Sequence, residues 1–485
     1  MAQLGALVAT ALLSATLACA APPPPRSEHV FDVRAFGASG NRTDDARPAI
    51  QRAIDAAASA GGGTVLFPPG EYVSGSLSLR SRVRVVIDAG ATVLSAKGKA
   101  AFPKEALFHG EDLDGVTLEG RGVVDGRAEY EWRANDHEDA YIEPNRVRAA
   151  AAGNALRRPF PTKDSVGHLV RLVRCRDVKI RDLSFVRSPS WTIHMWGCER
   201  VEIEGVDVRT SLEEGVWADG IDPDGCRDVR ISNCTIETGD DALVFYSTNL
   251  FGPARACEDV TVTNCRLTSS SSALKFCDGN QVAVRRVAIS NCAITNSNRG
   301  LAFMVFDGGI VEDVVVSNVT IECTRRDWFW WGEGDPIHFA VRRRHELDPR
   351  LDARSTPPAG TIRDVRIRNV VARGRGTSSL AGHADRPLED VSIEGLSLRV
   401  SRDPTAPYES TESAIEVRHA RRLTLRDVDV IWDEPASPTW RSGLRAFDVE
   451  GLELDRLRAR AADGSRPEPS IDERRVDGDA ELLMR

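Results

Sequence analysis

Residues 226–236 read CRDVRISNCTI and residues 257–267 read CEDVTVTNCRL. Both segments alternate apolar and polar side chains, make a small polar turn and become apolar again, a pattern typical of two short strands joined by a bend. The template recurs, with equivalent valines at Val178, Val201, Val229, Val260, Val287, Val314, Val365 and Val391. These valines are spaced 23–31 residues apart, with one interval of 51. The period suits one coil of three strands, and the long interval is either one coil with an insertion or two coils.

The repeat distinguishes a solenoid from a β-sandwich or a propeller. Asn233, Asn264, Asn291 and Asn318 occupy the same place in successive repeats, and Cys234, Cys265 and Cys292 follow the first three. Stacked asparagines can bond the backbone of the next coil, which only a solenoid allows. We interpret most of the ten cysteines as buried small side chains rather than disulfides. The sequence therefore predicts an all-β fold, a right-handed single-stranded parallel β-helix.

The two ends of the chain predict the boundaries of this domain. Thr43–Asp45 can cap a helix with the apolar face Ile50, Ile54 and Ala57, ended by Gly61–Gly63, and this helix would cover the first coil. We place the β-helix domain at residues 30–465. Residues 466–485 are polar and show no clear coil, so we expect a partly ordered end.

The N-terminus predicts export. Residues 1–20 are apolar and end in Ala18-Cys19-Ala20, which resembles a signal-peptide cleavage site, and a proline-rich linker occupies residues 21–29. A lipid anchor on Cys19 is the alternative. No later segment offers about 18 uninterrupted apolar residues, so we predict no membrane span and a periplasmic or extracellular protein. A net charge of −9 gives no reason to expect a nucleic-acid partner. We predict a monomer without a metal or cofactor.

Three aspartates form the candidate catalytic group. Asp219 and Asp240 are separated by close to one coil, and Asp241 adjoins Asp240. Inverting hydrolysis of a glycosidic bond needs a protonated acid and a carboxylate that activates water, about 6.5–9.5 Å apart. Neighbouring aspartates repel, which can keep one of them protonated. The alternative is that Gly-Asp-Asp is simply a turn, as we expect for Asp222 and Asp224 in GIDPDGC.

Four stretches resemble glycoside hydrolase family 28, the polygalacturonase-like enzymes. They are FDVRAFGASGNRTDDARPAIQRAIDAAASAGGGTVLFPPGEYVSGSLSL (31–79), SPSWTIHMWGCERVEIEGV (188–206), ADGIDPDGCRDVRISNC (218–234) and TGDDALVFYS (238–247). The Asn-Thr-Asp motif of the family matches Trp217-Ala218-Asp219, and its Asp-Asp pair matches Asp240-Asp241. The resemblance implies that Asp240 is the general acid and that Asp219 and Asp241 activate water.

The sequence departs from this family at two motifs. Ser272 stands nearest the histidine of the Gly-His-Gly motif, and Ala302-Phe303-Met304 aligns with the Arg-Ile-Lys motif that holds a substrate carboxylate. Lys275 and Arg299 are nearby cations that could replace the lost charges. The alternatives are a lysine that lies on the surface or packs its stem along the coil, and an arginine paired with a turn carboxylate.

Aromatic residues and histidines supply further substrate-binding candidates. Residues 327–339 read DWFWWGEGDPIHF, and Trp330 and Trp331 could cover the flat faces of sugar rings or instead pack on the coil. His338 and His194 are predicted at the rim of the site or in the core. Residues 126–163 lack the repeat, and we expect a lid or a substrate wall there.

The sequence thus predicts an inverting glycoside hydrolase that acts on a pectin-like polysaccharide or oligosaccharide. Two alternatives stay open. One is a uronate-polysaccharide lyase or epimerase on the same scaffold, which would use Lys275 or Arg299 as its base. The other is a carbohydrate-binding β-helix without catalysis.

Overall fold

The computed structural model describes residues 29–130, 132–135, 147, 150–153, 160–163, 167–276, 278–326, 332–348, 350–403, 410–461 and 470–483. The predicted signal peptide and linker (1–28), Cys19, Trp330, Trp331 and most of the predicted lid therefore lie outside the described residues. Their assignments stay predictions.

The described chain is nearly all β-structure, and its helical elements include α1 (Arg47–Ser59), α2 (Arg344–Leu347) and the 3-10 turns Lys99–Ala101 and Ala128–Tyr130. The strands are β1 (Val30–Asp32), β2 (Gly63–Phe67), β3 (Gly70–Ser74), β4 (Leu77–Ser78), β5 (Val83–Ile87), β6 (Ala91–Ser95), β7 (Ala106–Glu111), β8 (Asp114–Gly120), β9 (Val123–Asp125), β10 (Trp132–Asn135), β11 (Phe160–Lys163), β12 (His168–Val173), β13 (Arg176–Arg181), β14 (Ser184–Val186), β15 (Ile193–Trp196), β16 (Glu199–Glu204), β17 (Asp207–Arg209), β18 (Ile221–Asp224), β19 (Arg227–Ser232), β20 (Thr235–Thr238), β21 (Leu243–Phe245), β22 (Cys257–Thr263), β23 (Arg266–Ser269), β24 (Ser272–Phe276), β25 (Ala283–Ser290), β26 (Ala293–Ser297), β27 (Arg299–Val305), β28 (Ile310–Cys323), β29 (Asp335–Val341), β30 (Thr361–Gly374), β31 (Ser378–Ala381), β32 (Leu388–Val400), β33 (Ser413–Arg421), β34 (Thr424–Trp432), β35 (Ser442–Ala461) and β36 (Ser470–Leu483).

Parallel pairing between successive coils arranges most of these strands in three ladders, as a parallel β-helix requires, whereas β10 and β11 form a separate antiparallel pair. Sheet A, which carries the candidate site, contains β4, β7, β12, β15, β18, β21, β24, β27, β29, β31 and β33. The second ladder runs from β1 to β25 and the third from β3 to β26, and the long strands β28, β30, β32 and β34 continue both of them. The predicted fold class is confirmed.

The valine column confirms the register predicted from the repeat. Val178, Val201, Val229 and Val260 pair in succession, and the column continues through Val287 to Val391. Val314 pairs directly with Val365, so the 51-residue interval is one coil with an insertion. Alternate side chains of each strand point inward, and Phe245, Phe276, Phe303 and Phe339 stack there with ring centroids 4.3–5.2 Å apart. This spacing matches the coil rise of about 4.8 Å.

The asparagine series is present, but its hydrogen bonds differ from the prediction. The Asn264 amide donates to the Asn233 side-chain oxygen (3.4 Å), Asn318 donates to Asn291 (3.3 Å), and Asn369 extends the series by donating to Asn318 (3.0 Å). The bonds therefore join side chain to side chain rather than side chain to backbone. Each residue has a φ of 55–58°, a left-handed conformation that asparagine tolerates better than most residues.

The cysteines agree with the interpretation of a buried stack. Cys234, Cys265 and Cys292 are buried, and all eight cysteines of the described chain are free thiols.

The N-terminal cap is the predicted helix α1. Ala49, Ile50, Ala53, Ile54 and Ala57 form its buried face. The N-cap residue is Ala46, which makes no side-chain capping hydrogen bond, so the predicted cap at Thr43–Asp45 lies just before the N-cap position. Asp45 instead accepts a hydrogen bond from the Arg47 N–H at 3.0 Å.

The C-terminal end is more regular than predicted. It makes no coil, as expected, but β36 runs antiparallel along β35 and so covers the last coil. This arrangement shields an otherwise open sheet edge. No helix among the described residues is long and apolar enough to cross a membrane.

Candidate active site

The coil register brings the three predicted aspartates together on sheet A. Ile221 pairs with Leu243, which places Asp219 one coil before Asp241. The Asp241 N–H donates to Asp219 Oδ1 at 3.2 Å, and the Ser272 N–H of the next coil donates to Asp241 Oδ1 at 3.0 Å. Each of these two carboxylates is thus fixed by a backbone N–H of the following coil.

The aspartates form a tight, buried cluster. Asp219, Asp240 and Asp241 are 2–6% exposed, and one oxygen atom from each lies within 4.8 Å of the others. The cluster is closer than the expected separation of about 6.5–9.5 Å. However, a water that bonds two oxygens at about 2.8 Å each can bridge a gap of up to about 5.6 Å. The oxygens are therefore close enough for one water to bond two of them. Three such oxygens could also ligate a cation.

Asp240 is a carboxyl group that can carry a proton near neutral pH. Burial, followed by the charge of Asp241, raises its pKa to about 7, against the opposing effect of Lys275. Asp240 Oδ2 accepts a hydrogen bond from the Trp217 N–H at 3.0 Å. Trp217 has a φ of 59° and is 40% exposed. Sequence reasoning did not select this tryptophan as a site residue, although it occupies the first position of the matched motif.

Lys275 reaches the cluster. Its ammonium Nζ lies 2.8 Å from Asp241 Oδ2 and 3.7 Å from Asp278 Oδ1, and its side chain is only 6% exposed. The alternative of a surface lysine is therefore wrong. Ser272, which stands nearest the missing histidine, contributes its backbone N–H to Asp241. Its hydroxyl is buried without a hydrogen-bond partner among the described residues.

Asp222 and Asp224 are not turn formers, which corrects the prediction. Both lie on the strand β18 and are completely buried. Burial raises the pKa of Asp219 and of Asp222 well above the ordinary value. Neighbouring carboxylates add to this effect at both residues. Asp224 accepts from the Thr248 N–H at 2.7 Å and also from the Thr248 hydroxyl.

His194 lies in an aromatic group at the N-terminal side of the cluster. It pairs in register with Asp222, and its Nε2 is 3.5 Å from Asp224 Oδ2. The Trp191 ring meets His194 edge-on at 4.8 Å and stacks on Tyr246 at 5.0 Å. Trp191 and Tyr246 were not predicted as site residues, although both lie in the stretches that carry the family resemblance.

Arg299 and His338 form a second group on the C-terminal side. Arg299 pairs in register with Ser272 and Asp335, and its Nε is 3.4 Å from Asp335 Oδ2. His338 Nδ1 lies 3.6 Å from the same oxygen. Burial raises the pKa of Asp335 to about 6, and burial followed by Arg299 holds the pKa of His338 well below its usual range. The alternative for Arg299, an arginine paired with a carboxylate, is correct. Its partner Asp335, however, lies on the strand β29 and not in a turn.

Comparison with known proteins identifies a family. The model of the glycosyl hydrolases family 28 matches residues 63–323, more than half of the chain. An exopolygalacturonase from Platanus acerifolia is 28% identical over 223 residues, which cover 45% of this chain and 52% of that protein. Mannuronan C5-epimerase AlgE3 from Azotobacter vinelandii is 38% identical over 121 residues, 20% of this chain and 6% of that protein. This chain thus aligns with about half or less of these curated relatives' length.

A structural neighbour agrees with the fold. The family 28 exopolygalacturonase of Yersinia enterocolitica superposes with a TM-score of 0.65 at 15% identity, covering 88% of this chain and 78% of that one. At this identity the likeness supports the β-helix architecture and not a shared substrate.

Proposed function

Because the chain belongs to family 28 of the glycosyl hydrolases, we propose that it hydrolyses a glycosidic bond in a pectin-like polysaccharide or oligosaccharide with three aspartates. One observation carries the proposal: oxygens of Asp219, Asp240 and Asp241 converge within 4.8 Å in a buried cluster. Hydrolysis requires an acid and a base that reach the same bond, and this cluster offers both.

Asp240 donates a proton to the leaving oxygen. A pKa of about 7 keeps a large fraction of this carboxyl protonated at neutral and mildly acidic pH. Because the Trp217 N–H bonds Oδ2, Oδ1 is left to carry the proton. The bond between the sugar carbon and the leaving oxygen breaks as this proton moves.

Asp219 and Asp241 activate the attacking water. They lie on adjacent coils, and Lys275 supplies a counter-charge to Asp241 at 2.8 Å. A water held between these two residues gives a proton to the one that is ionised while its oxygen bonds the anomeric carbon. Direct attack by water without a covalent intermediate inverts the configuration of that carbon.

A screen of reducing-end release tests this function. Polygalacturonate, methyl-esterified pectin and neutral polysaccharides are incubated with the wild-type protein and with Asp240→Asn. Release by the wild type alone, with the inverted anomer in the proton NMR spectrum of the fresh product, supports the proposal. An ultraviolet-absorbing unsaturated product would instead identify a lyase. If no reducing ends are released from any of these substrates, the result would favour a carbohydrate-binding β-helix without catalysis.

We infer export as part of the same function, because a polysaccharide substrate lies outside the cell that produces the enzyme. The apolar residues 1–20 support this inference as a signal peptide. N-terminal sequencing of the protein secreted by its host checks it, and an N-terminus that retains residues 1–20 would contradict it.

A further inference from the structure

The turns that follow three neighbouring strands of sheet A bring a row of charged side chains beside Lys275. Asp278 follows β24, Asp307 follows β27, and Arg344 begins α2 in the segment after β29. These strands pair in register on successive coils, so the turns lie at the same end of the sheet. The Phe306 N–H donates to the Asp278 carbonyl oxygen at 3.1 Å, which fixes the first turn to the second. The row therefore begins at the aspartate cluster and leads away from it.

Arg344 binds both carboxylates of this row. Its Nη1 donates to Asp278 Oδ2 at 3.1 Å, its Nε donates to Asp307 Oδ1 at 3.1 Å, and its Nη2 donates to Asp307 Oδ2. A planar guanidinium can bind one carboxylate with two N–H groups and still reach a second one. The three side chains are only 15–23% exposed, so solvent screens these contacts little.

The short helix α2 holds Arg344 in this place. Glu346 Oε2 accepts a hydrogen bond from the Arg343 N–H at 3.1 Å and so caps the helix. The other oxygen of the same carboxylate, Oε1, lies 3.0 Å from Nε2 of His383, which follows β31 on the next coil. The long coil that interrupts the regular repeat thus places a fixed cation at the end of the row.

Asp278 and Asp241 both attract the Lys275 ammonium. Lys275 Nζ lies 2.8 Å from Asp241 Oδ2 and 3.7 Å from Asp278 Oδ1. The attraction between two charges falls when a third charge of opposite sign compensates one of them. Arg344 compensates Asp278 at Oδ2, so the ammonium is drawn more strongly to Asp241.

We propose that Arg344 is a positioning residue, which keeps the Lys275 ammonium on Asp241 by binding the competing carboxylate of Asp278. Without Arg344, Asp278 would need another counter-charge, and Lys275 is near enough to supply it. Asp241 would then lose the counter-charge that it has in the proposed activation of water. The effect on the rate rests on the proposed hydrolysis, whereas the position of the ammonium can be observed without catalysis.

Crystal structures of the wild type and of Arg344→Gln test this position directly. In the variant we expect Lys275 Nζ to leave Asp241 and to bind Asp278. In Arg344→Gln/Asp278→Asn, which also removes the competing charge, the ammonium should return to Asp241. An ammonium that stays on Asp241 in the single variant, or that does not return in the double variant, overturns the inference.

The pH dependence of kcat/KM gives a second readout, which a purely structural role of the arginine would not move. Asp240 is faced by Asp219 and Asp222 of the preceding coil, by its neighbour Asp241 and by Lys275 of the next coil. Displacement of the ammonium removes the group that lowers the Asp240 pKa, so the alkaline limb of the single variant should move up by about one pH unit. The double variant should return the limb toward its wild-type position.

The Lys275→Met background separates positioning from a direct effect of the arginine charge. Arg344→Gln should move the limb no further in this background, because the ammonium is already absent. The matched control is Arg363→Gln, which removes an arginine that binds Glu312 on the long strands and should leave the limb in place. An equal shift in both backgrounds, or an equal shift in the control, overturns the inference. Wild-type protein that hydrolyses no substrate contradicts the proposed function, and the crystal structures then decide the inference alone.

Discussion

The Lys275 ammonium nitrogen lies 2.8 Å from Asp241 Oδ2, and both side chains are almost completely buried. The pair joins two adjacent coils, because Lys275 pairs in register with Val244, three residues after Asp241. A buried cation amid carboxylates compensates for part of their repulsion. Lys275 therefore acts on the stability of the cluster as well as on its protonation.

Replacing Lys275 by Met should destabilise the protein, because it leaves Asp241 buried without its charge partner. Loss of one member of a buried ion pair costs about 3–5 kcal/mol. The free energy of unfolding from urea titration measures the effect. The double variant Lys275→Met/Asp241→Asn should recover part of the loss, since it removes the unpaired charge as well. Equal losses in the single and double variants would contradict this role.

The pH dependence of catalysis should follow Asp240. With a pKa of about 7, this acid is protonated below neutrality, so kcat/KM should fall as the pH rises through about 7. Lys275 lowers this pKa, so the fall in Lys275→Met should occur at higher pH. Rates on one oligosaccharide from acidic pH to about two units above the Asp240 pKa give both limbs of the pH profile. An alkaline limb that stays in place in the variant would exclude this electrostatic coupling.

Asp222 should tolerate an amide where the catalytic aspartates do not. Its carboxyl is completely buried, and burial raises its pKa well above the ordinary value, which favours the neutral form. An amide resembles a neutral carboxyl in shape and can donate a hydrogen bond. Asp222→Asn should keep kcat/KM within about tenfold, whereas Asp222→Leu should lose considerably more. Inactivation of both variants to the same extent would mean that Asp222 works as an ion.

The asparagine series should contribute to stability through both its hydrogen bonds and its backbone conformation. Asn318 bonds Asn291 and Asn369 and has a φ of 55°. Asn318→Ala should cost about 2 kcal/mol, from the left-handed conformation and the lost bonds together. Asn318→Gly, which adopts this conformation freely, should cost less. Thermal unfolding measures both variants, and a glycine variant no more stable than the alanine variant would contradict the conformational part.

The repeat made the coil register predictable, because one apolar position per coil must stack on the next. The valine column and the position of Asp219 beside Asp241 follow directly from it. Turn composition, by contrast, misassigned Asp222 and Asp224. Asp-Pro-Asp-Gly has the composition of a turn, yet the segment is a strand because its neighbours in sheet A pair with it on both sides.

The details of the site depend on distances between side-chain atoms, which a sequence repeat does not specify. The sequence marked Lys275 as a candidate, but its contact with Asp241 depends on how a long side chain lies along the coil. The separation of the carboxylates is set by hydrogen bonds from the Asp241 and Ser272 N–H groups, and it is tighter than expected. Trp330 and Trp331 lie outside the described residues, and their contact with sugar stays a prediction.

The turnover of Asp240→Asn tests the central claim most directly. Loss of the acid should reduce kcat on the best substrate by about 10²–10⁴-fold, because the amide cannot protonate the leaving oxygen. The matched control is Asp177→Asn, which changes an exposed aspartate paired with Arg200 far from the cluster in sequence and should leave kcat unchanged. Thermal unfolding of both variants shows that the fold is intact. A folded Asp240→Asn protein that cleaves at the wild-type rate would contradict the account.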